Sequence, residues 1–349
     1  MGVPGYPQRF LLGGYTEELG GRASGLASRV LTAGGSTPAQ SLLPLASPSY
    51  LVAHPEQPWV FAVLEGRGSW LASARVQADG ALVQVGSVPT GGDFGCHLAL
   101  SPDARHVVVA HYGSGSVASF EVGVDGGLSQ RRDLRQFSGS GSDPERQEGP
   151  HIHQVVFDSD VLLVADLGTD RLHRLSLAAD GTFDEAGPPI ELPGGSGPRH
   201  LVVVGGDHLV VVCELSAQLW LGVRTETGWS HAQTVPSSIA ELNERVLPSA
   251  VRADGDTVYV ANRGAGTVSV FTLDRVAHTL TRVQEFSCGG PWPRDLVLGG
   301  TRLWVANEST DVVSVFDRTA LGAPRLVSEI GAPSPTCVVL LEPHSAAIT

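Results

Sequence analysis

Lysine is absent from this chain: all 23 of its basic residues are arginines, set against 36 acidic residues. Without an ε-amine, the protein has no side chain for Schiff-base or lysine-nucleophile chemistry. The formal net charge is −13, and no stretch is rich in arginine. We therefore expect no nucleic-acid partner, because the average field of the protein repels phosphate groups. An anionic ligand must instead be held by a few local arginines.

Cysteine pairs and long apolar runs are missing as well. The four cysteines form no Cys-x-x-Cys pair and no evident disulfide framework, which favours reduced thiols in a cytoplasm. No stretch approaches the roughly 18 to 20 uninterrupted apolar residues of a membrane helix. The first residues also lack the basic and apolar segments of a signal peptide. We expect a cytoplasmic protein with no membrane partner.

What the sequence does contain is a short motif that recurs seven times. Each copy has a Pro or Gly, two variable residues and usually an aliphatic residue, and it opens an apolar run. The copies start at Pro48, Gly95, Pro150, Pro198, Pro248, Pro293 and Pro335. Their spacing of 42 to 55 residues is typical of the four-stranded blades of a β-propeller.

A second shared segment follows each copy and fixes the architecture. It ends a run rich in valine, as in Val-Ala-Asn262-Arg263, and such β-branched runs predict strands. Residues 9–15 repeat this second strand with no first strand before them, while residues 335–341 supply a first strand at the other end. The sequence therefore predicts an all-β, seven-bladed propeller of four-stranded antiparallel blades. Residues 1–349 form one domain, and the two terminal strands share a blade and close the ring.

Stacking the copies predicts which residues meet at the channel. The first two strands of a blade are antiparallel, so the start of one and the end of the other lie at the same rim. Most copies carry small or apolar residues there. The charged exceptions are His151, Arg199 and Arg294 after the motif starts, and Glu65, Glu214, Arg263 and Glu308 at the strand ends.

Four of these residues, from three successive blades, suit ester or lactone hydrolysis: His151, Arg199, Glu214 and Arg263. Such a reaction needs a base that deprotonates water and cations that stabilise the tetrahedral oxyanion. Two guanidinium groups also bind a carboxylate or phosphate bidentately. The alternative is a purely structural ring of ion pairs that stops blades from sliding.

The remaining histidines carry weaker predictions. His151 and His153 are expected on one face of a strand, but no carboxylate completes a metal ligand set, so we expect no metal and no cofactor. His153 is expected to pack beside the site or to support His151. His97 is interpreted as a hydrogen-bonded core residue that also borders the substrate. Residues 138–149 are predicted to lie on the mouth side, as a cover or as a disordered insert.

Eight segments resemble the seven-bladed propeller lactonases, the family of cycloisomerase-2-type 6-phosphogluconolactonases that includes a fungal carboxymuconate-lactonising enzyme. They are residues 13–16, 48–55, 146–153, 166–170, 196–200, 214–216, 261–264 and 292–295. The resemblance implies an active site of a His, an Arg, a Glu and a second Arg, which fall by motif on the four residues above. It also implies metal-independent hydrolysis of 6-phosphoglucono-δ-lactone to 6-phosphogluconate in the pentose phosphate pathway.

Within that resemblance we hypothesise roles for single residues. His151 or Glu214 is the base, and Arg199 and Arg263 polarise the lactone carbonyl. Arg294 holds the phosphate, and four further residues border the substrate: His153, His97, Glu65 and Glu308. The partner is a small anionic lactone, and the protein is a monomer or a homodimer. The alternatives are a muconate-type lactonising enzyme or cycloisomerase, a non-catalytic binding platform and a metal-dependent sugar lactonase.

Overall fold

The computed structural model describes residues 7–33, 35–240, 245–318 and 324–341, and these are almost entirely β-strand. They form seven antiparallel sheets, each a blade of the predicted propeller. The one described helix is a single 3-10 turn, Glu17–Leu19. No helix in this part of the chain has the length and apolar character needed to cross a bilayer.

The strands follow one another blade by blade, from the channel outward. Blade 1 contains β1 (Gln8–Gly14), β2 (Leu26–Thr32), β3 (Gly35–Ser36) and β4 (Ser41–Leu43). Blade 2 contains β5 (Pro48–Ala53), β6 (Trp59–Leu64), β7 (Trp70–Val76) and β8 (Leu82–Pro89). Blade 3 contains β9 (Gly95–Leu100), β10 (His106–His111), β11 (Ser116–Glu121) and β12 (Asp133–Gln136). Blade 4 contains β13 (Ile152–Asp158), β14 (Val161–Asp166), β15 (Arg171–Leu177), β16 (Phe183–Glu185) and β17 (Ile190–Glu191).

The same order continues to the end of the described chain. Blade 5 contains β18 (Pro198–Val204), β19 (His208–Cys213), β20 (Gln218–Thr225) and β21 (Gly228–Pro236). Blade 6 contains β22 (Leu247–Asp254), β23 (Thr257–Arg263), β24 (Thr267–Asp274) and β25 (Thr279–Ser287). Blade 7 contains β26 (Pro293–Gly299), β27 (Arg302–Asn307), β28 (Val312–Asp317) and β29 (Arg325–Gly331), and β30 (Pro335–Leu341) follows. In blades 1 and 4 the outer strand is split into two short strands that pair with the same neighbour.

The ring closes as the sequence predicted. Strand β30 pairs antiparallel with β1, so that Phe10 lies opposite Leu340 and Leu12 opposite Val338. Blade 1 therefore takes its innermost strand from the C-terminal end of the described chain and the other strands from the N-terminal end. Pairing the two ends in one sheet leaves no open edge at the join.

The core lies between neighbouring blades rather than at the centre of the ring. Valines and leucines of the middle strands point alternately to the two faces of a blade, and both faces are covered. Between blades 5 and 6, for example, Val212, Leu219, Val260 and Phe271 pack in one buried cluster. Each such side chain contributes about 1.5–3 kcal/mol on burial, so the blade interfaces supply the stability and the channel residues are free to be polar.

The innermost strand of blade 4 begins two residues later than the sequence motif predicted. In blades 5 and 7 the motif proline pairs with the last residue of the second strand, as Pro198 does with Cys213. In blade 4 that place is taken by Ile152, which pairs with Asp166. The expectation that His151 and His153 share a strand face was therefore wrong: His153 is on the strand and His151 precedes it.

The Asp166 side chain explains this shift. Its carboxylate accepts hydrogen bonds from the backbone N–H groups of His151, at 2.8 Å, and Gly168, at 3.1 Å. It also accepts one from the Thr169 hydroxyl, at 2.6 Å. Because these bonds satisfy the backbone before Ile152, the chain does not need to continue the ladder there. His151 is thus held in a loop at the rim.

Candidate active site

Two rings of residues line the mouth of the channel. The upper ring contains the residue that follows the pairing partner of each motif start, with Ile152 in the place of Pro150 in blade 4. Its members are Tyr15, Glu65, Tyr112, Leu167, Glu214, Arg263 and Glu308. The lower ring contains the residue that follows each motif start itself. Its members are Ser49, Cys96, His153, Arg199, Ser249, Arg294 and Thr336. His153, and not His151, is therefore the residue equivalent to Arg199 and Arg294.

Glu214 is the centre of an ion-pair cluster that includes three guanidinium groups. The carboxylate is 2% exposed. Its Oε2 atom lies 2.5 Å from Arg263 Nη2 and 3.1 Å from Arg199 Nε, and its Oε1 atom lies 2.9 Å from Arg146 Nη2. Burial disfavours the charged carboxylate, but the positive charges of Arg263, Arg199 and Arg146 outweigh it and hold the pKa of Glu214 well below its ordinary value. Glu214 is consequently a fixed anion.

Arg199 is the most enclosed of the three arginines and has unused hydrogen-bonding capacity. It is 2% exposed, and no described residue accepts a hydrogen bond from its Nη1 atom. Burial, together with the nearby charge of Arg263, lowers the pKa of Arg199 to about 9. The side chain is still a cation at neutral pH, and its spare N–H groups are available to an oxygen of a ligand.

His151 reaches the site from the loop before blade 4. Its ring stacks on Tyr112, with centroids 4.4 Å apart and an interplanar angle of 16°. Nδ1 lies 2.8 Å from the Tyr112 carbonyl oxygen, and Nε2 lies 3.2 Å from a carboxylate oxygen of Glu148. Both nitrogens thus face oxygen acceptors, so an N–H group on either nitrogen can donate a hydrogen bond to its neighbour. The link from His151 to the ion-pair cluster runs through Tyr112 and Arg146 rather than through a direct contact.

Arg146 and Tyr112 complete this side of the mouth, although the sequence analysis did not assign them roles. Arg146 Nη2 lies 3.3 Å from the Tyr112 hydroxyl as well as bonding to Glu214. The segment that carries it, residues 138–149, lies on the mouth side as predicted. Buried Gln147 ties the segment to Leu167 and Asp170. The sequence feature that could have identified Arg146 is its position at the start of residues 146–153, one of the segments that carry the family resemblance.

The opposite side of the mouth has the reverse charge balance. Arg294 lies there, with its guanidinium 5.2 Å above the Tyr15 ring and Nη2 2.5 Å from the Tyr15 hydroxyl. Glu308 approaches Arg294 at 3.8 Å. Burial raises the pKa of Glu65 more than the charge of Arg294 lowers it. The charges of two carboxylates, Glu308 and Glu65, therefore act on one guanidinium on this side.

A small cavity lies between the rings. It is lined by Ser49, Tyr50, Glu65, Cys96, His153, Arg199, His200, Arg294 and Thr336, and its volume is about 20 Å³. That volume suits one water molecule and excludes a lactone ring. A lactone must therefore bind above the cavity, among the residues of the mouth.

The three inner histidines pack against one another beneath the mouth. His153 and His97 each make an edge-to-face contact with His200, at 5.4 and 5.6 Å, and His97 also packs on Tyr50 at 4.1 Å. Burial, reinforced by the charge of Arg199, lowers the pKa of these histidines well below the ordinary value. His97 thus lies below the cavity as a neutral, buried side chain. Within the described ranges no three His, Cys, Asp or Glu residues form a group suited to a metal ion.

The chain was compared with protein families and solved structures. The family model described as "Lactonase, 7-bladed beta-propeller" matches residues 9–340. The 6-phosphogluconolactonase of Bacillus subtilis is 30% identical over 310 residues, which cover 85% of this chain and 88% of that protein. A putative 6-phosphogluconolactonase from Bacteroides fragilis superimposes with a TM-score of 0.88 at 27% identity, covering 98% of this chain and 100% of the other. The periplasmic gluconolactonase of Pseudomonas aeruginosa gives 0.87 at 29% identity, covering 96% and 99%.

Proposed function

Because this chain belongs to the family of seven-bladed β-propeller lactonases, and is thus a lactone hydrolase, we propose that it hydrolyses 6-phosphoglucono-δ-lactone to 6-phosphogluconate without a metal ion. The observation that carries the proposal is the buried Arg199, whose Nη1 atom has no partner among the described residues. A buried cation with spare donors stabilises the oxyanion that forms when water attacks the carbonyl. Named relatives with the same fold support the substrate.

The arginines bind the carbonyl oxygen, and Glu214 fixes them in place. Because guanidinium groups engage both Glu214 oxygens and hold the pKa of Glu214 well below its ordinary value, this carboxylate is a weak base. Its role is to position Arg199 and Arg263. A fixed cluster stabilises developing negative charge without reorganisation during the reaction, which is the source of its catalytic effect.

His151 acts as the acid that protonates the leaving ring oxygen. Its Nε2 atom faces the mouth residue Glu148, and Nδ1 is fixed by the Tyr112 carbonyl. Stacking on Tyr112 holds the ring plane. Proton transfer from a positioned imidazolium contributes about 10²- to 10⁴-fold in rate. We therefore assign His151 the acid role rather than the base role that the sequence left open.

The phosphate group of the substrate belongs on the arginine side of the mouth. Our sequence hypothesis gave it to Arg294, but the negative charges of Glu308 and Glu65 act on that residue and repel a dianion. Arg146 is 35% exposed and lies beside two further guanidinium groups around one carboxylate. The net positive charge there suits a phosphate, so we assign this contact to Arg146. A cytoplasmic location stays a prediction, based on the free cysteines.

Unphosphorylated gluconolactone is the second candidate substrate. Glu65, Glu308 and the Tyr15 hydroxyl present acceptors on one side of the mouth, and acceptors of this kind bind sugar hydroxyl groups. The similarity to a periplasmic gluconolactonase points in the same direction.

The rates of hydrolysis of the two lactones test the proposal. Both open spontaneously, so the uncatalysed rate is measured in the same buffer and subtracted. We expect a higher kcat/KM for the phosphorylated lactone, and an Arg146→Ala variant that loses this preference. A protein that accelerates neither lactone above the blank would overturn the proposed function.

A further inference from the structure

Glu65 differs from Glu214, the carboxylate at the centre of the arginine cluster, in having a free oxygen. Its Oε2 atom is buried, and no described residue donates a hydrogen bond to it. Glu214, by contrast, uses both oxygens in contacts with arginines. A buried acceptor without a partner destabilises the folded protein. Its presence at the mouth of the channel therefore indicates a functional role.

The cavity beside Glu65 brings complementary polar groups together. Four of its lining residues each carry a buried polar atom with no partner in the described structure. These atoms are Glu65 Oε2, Arg199 Nη1, Ser49 Oγ and His200 Nδ1. A buried water needs about 10–15 Å³ and two to four polar partners. The volume of about 20 Å³ and these four atoms meet both conditions.

We propose that Glu65 is the general base of lactone hydrolysis and that it deprotonates a water molecule bound in this cavity. The inference rests on the proposed lactonase function and assigns the step that neither His151 nor Glu214 performs. Arg199 connects the two parts of the site, because it lines the cavity and also contacts Glu214 at 3.1 Å. The water is therefore held beside the guanidinium that receives the carbonyl oxygen.

The chemical step balances without another reactant. Glu65 takes one proton of the water as its oxygen forms a bond to the carbonyl carbon, and the carbonyl π electrons move to the oxygen held by Arg199 and Arg263. Collapse of the tetrahedral intermediate breaks the bond to the ring oxygen, which takes a proton from His151. The proton on Glu65 returns to His151 through solvent. One lactone and one water give one hydroxy acid.

The surroundings of Glu65 favour a base at neutral pH. Burial raises its pKa above the ordinary 4.5, and the charges of Arg294 and Arg199 offset this only in part. Other titratable groups line the cavity: the Cys96 thiol, whose pKa burial raises, and two histidines whose pKa values burial lowers. All three are neutral near pH 7. Among the described residues, the charges that face Glu65 are therefore the two guanidinium groups and, through Arg294, the carboxylate of Glu308.

The Glu65→Gln variant tests the assignment, because glutamine has the same shape and cannot accept the proton. We expect kcat on the better of the two lactones to fall at least about 100-fold, with KM changed less than about threefold. In the wild type, kcat falls as the pH drops through the raised pKa of Glu65. That acid limb should vanish in the variant. The control is Glu285→Gln, which changes a buried carboxylate in the outer strand β25, held by Ser238 and Ser269, and should retain both the rate and the acid limb.

A crystal structure of the wild type provides a readout that does not depend on the substrate. We expect one ordered water within hydrogen-bond distance of Glu65 Oε2 and Arg199 Nη1. A dry cavity, or a Glu65→Gln variant that keeps the wild-type rate and acid limb, would overturn the assignment while leaving the lactonase function intact. Failure of the wild type to open either lactone would instead overturn the function, and the water would then mark a purely structural site.

Discussion

The two sides of the channel mouth are built from equivalent positions and carry opposite charge balances. On the side of blades 4 to 6, three arginines surround Glu214, the one carboxylate of the cluster. On the side of blades 7, 1 and 2, Glu65 and Glu308 flank Arg294. Repeated blades need to share only their packing residues, so the residues at the channel are free to differ. The proposed chemistry therefore depends on channel residues that differ from blade to blade.

The two sides of the mouth also differ in how exposed their charged side chains are. Glu214 and Arg199 are almost completely buried, whereas Glu308 is 25% exposed and lies 3.8 Å from its partner. Buried charge pairs are sensitive to the loss of one partner, while exposed pairs contribute little. The charged groups of Glu214, Arg199 and Arg263 thus form a buried, fixed cluster. Those of the acidic side are more exposed, apart from the buried Oε2 atom of Glu65.

The largest expected effect comes from breaking the arginine side at its centre. Glu214→Gln leaves three guanidinium groups without their shared anion, two of them buried, and should lower the free energy of unfolding by about 3–5 kcal/mol. Urea denaturation at pH 7 measures the loss. Glu308→Gln is the matched change on the acidic side and should cost less than about 1 kcal/mol. Equal losses for the two variants would remove the distinction between the sides.

The second effect is on catalysis rather than on stability. Arg199→Lys keeps the charge but loses the planar fork that reaches both Glu214 and the cavity. We expect kcat to fall about 10²- to 10³-fold, the range found when one oxyanion donor is removed. Arg224→Lys, a change at an exposed arginine paired with Asp158, is the control and should behave as the wild type. A fully active Arg199→Lys enzyme would show that a positive charge at this position is enough to stabilise the oxyanion.

A third change tests substrate selection by the arginine side. Arg146→Ala removes the exposed cation and should raise KM for the phosphorylated lactone about tenfold, because it loses a charge-assisted contact worth about 1.4 kcal/mol or more. KM for the unphosphorylated lactone should change less than about threefold. Steady-state kinetics on both substrates measure the two KM values. Equal changes in KM would show that the phosphate group does not bind to Arg146.

The smallest effect is expected on the acidic side. Tyr15→Phe keeps the ring beneath Arg294 and removes the hydroxyl that bonds to it. The free energy of unfolding should drop by about 0.5–1.5 kcal/mol, with a change in kcat of less than about threefold. Thermal denaturation and a lactone assay measure the two quantities. A large loss of kcat would show that Tyr15 belongs to the reacting part of the site.

The sequence predicted the ring and most of the arginine side because both follow from the repeat. Blade period, strand order and the pairing of the two ends were confirmed, since packing residues recur in every blade. Arg199, Glu214 and Arg263 were brought together because each occupies a repeat position. The position of His151 at the start of a strand was wrong because Pro150 matches the motif in sequence. In the structure the Asp166 carboxylate bonds to the backbone of His151, and the strand begins two residues after Pro150.

The features that escaped prediction depend on three-dimensional packing. Arg146 comes from a loop outside the repeat, so stacking the blades could not locate it. The cavity beside Glu65 arises from the volumes of nine side chains from several blades, and no spacing in the sequence encodes it. The low pKa of Glu214 likewise depends on three arginines converging on its two oxygens.

A crystal structure with a bound gluconolactam, an unreactive analogue of the lactone, tests the central claim most directly. Our account predicts that the lactam carbonyl oxygen lies within hydrogen-bond distance of Arg199 or Arg263, with the ring hydroxyls facing Glu65 and Glu308. A carbonyl oxygen bound on the side of Arg294, or an analogue bound outside the channel mouth, would contradict the division of the site into an arginine side that binds the carbonyl oxygen and an acidic side that carries the general base.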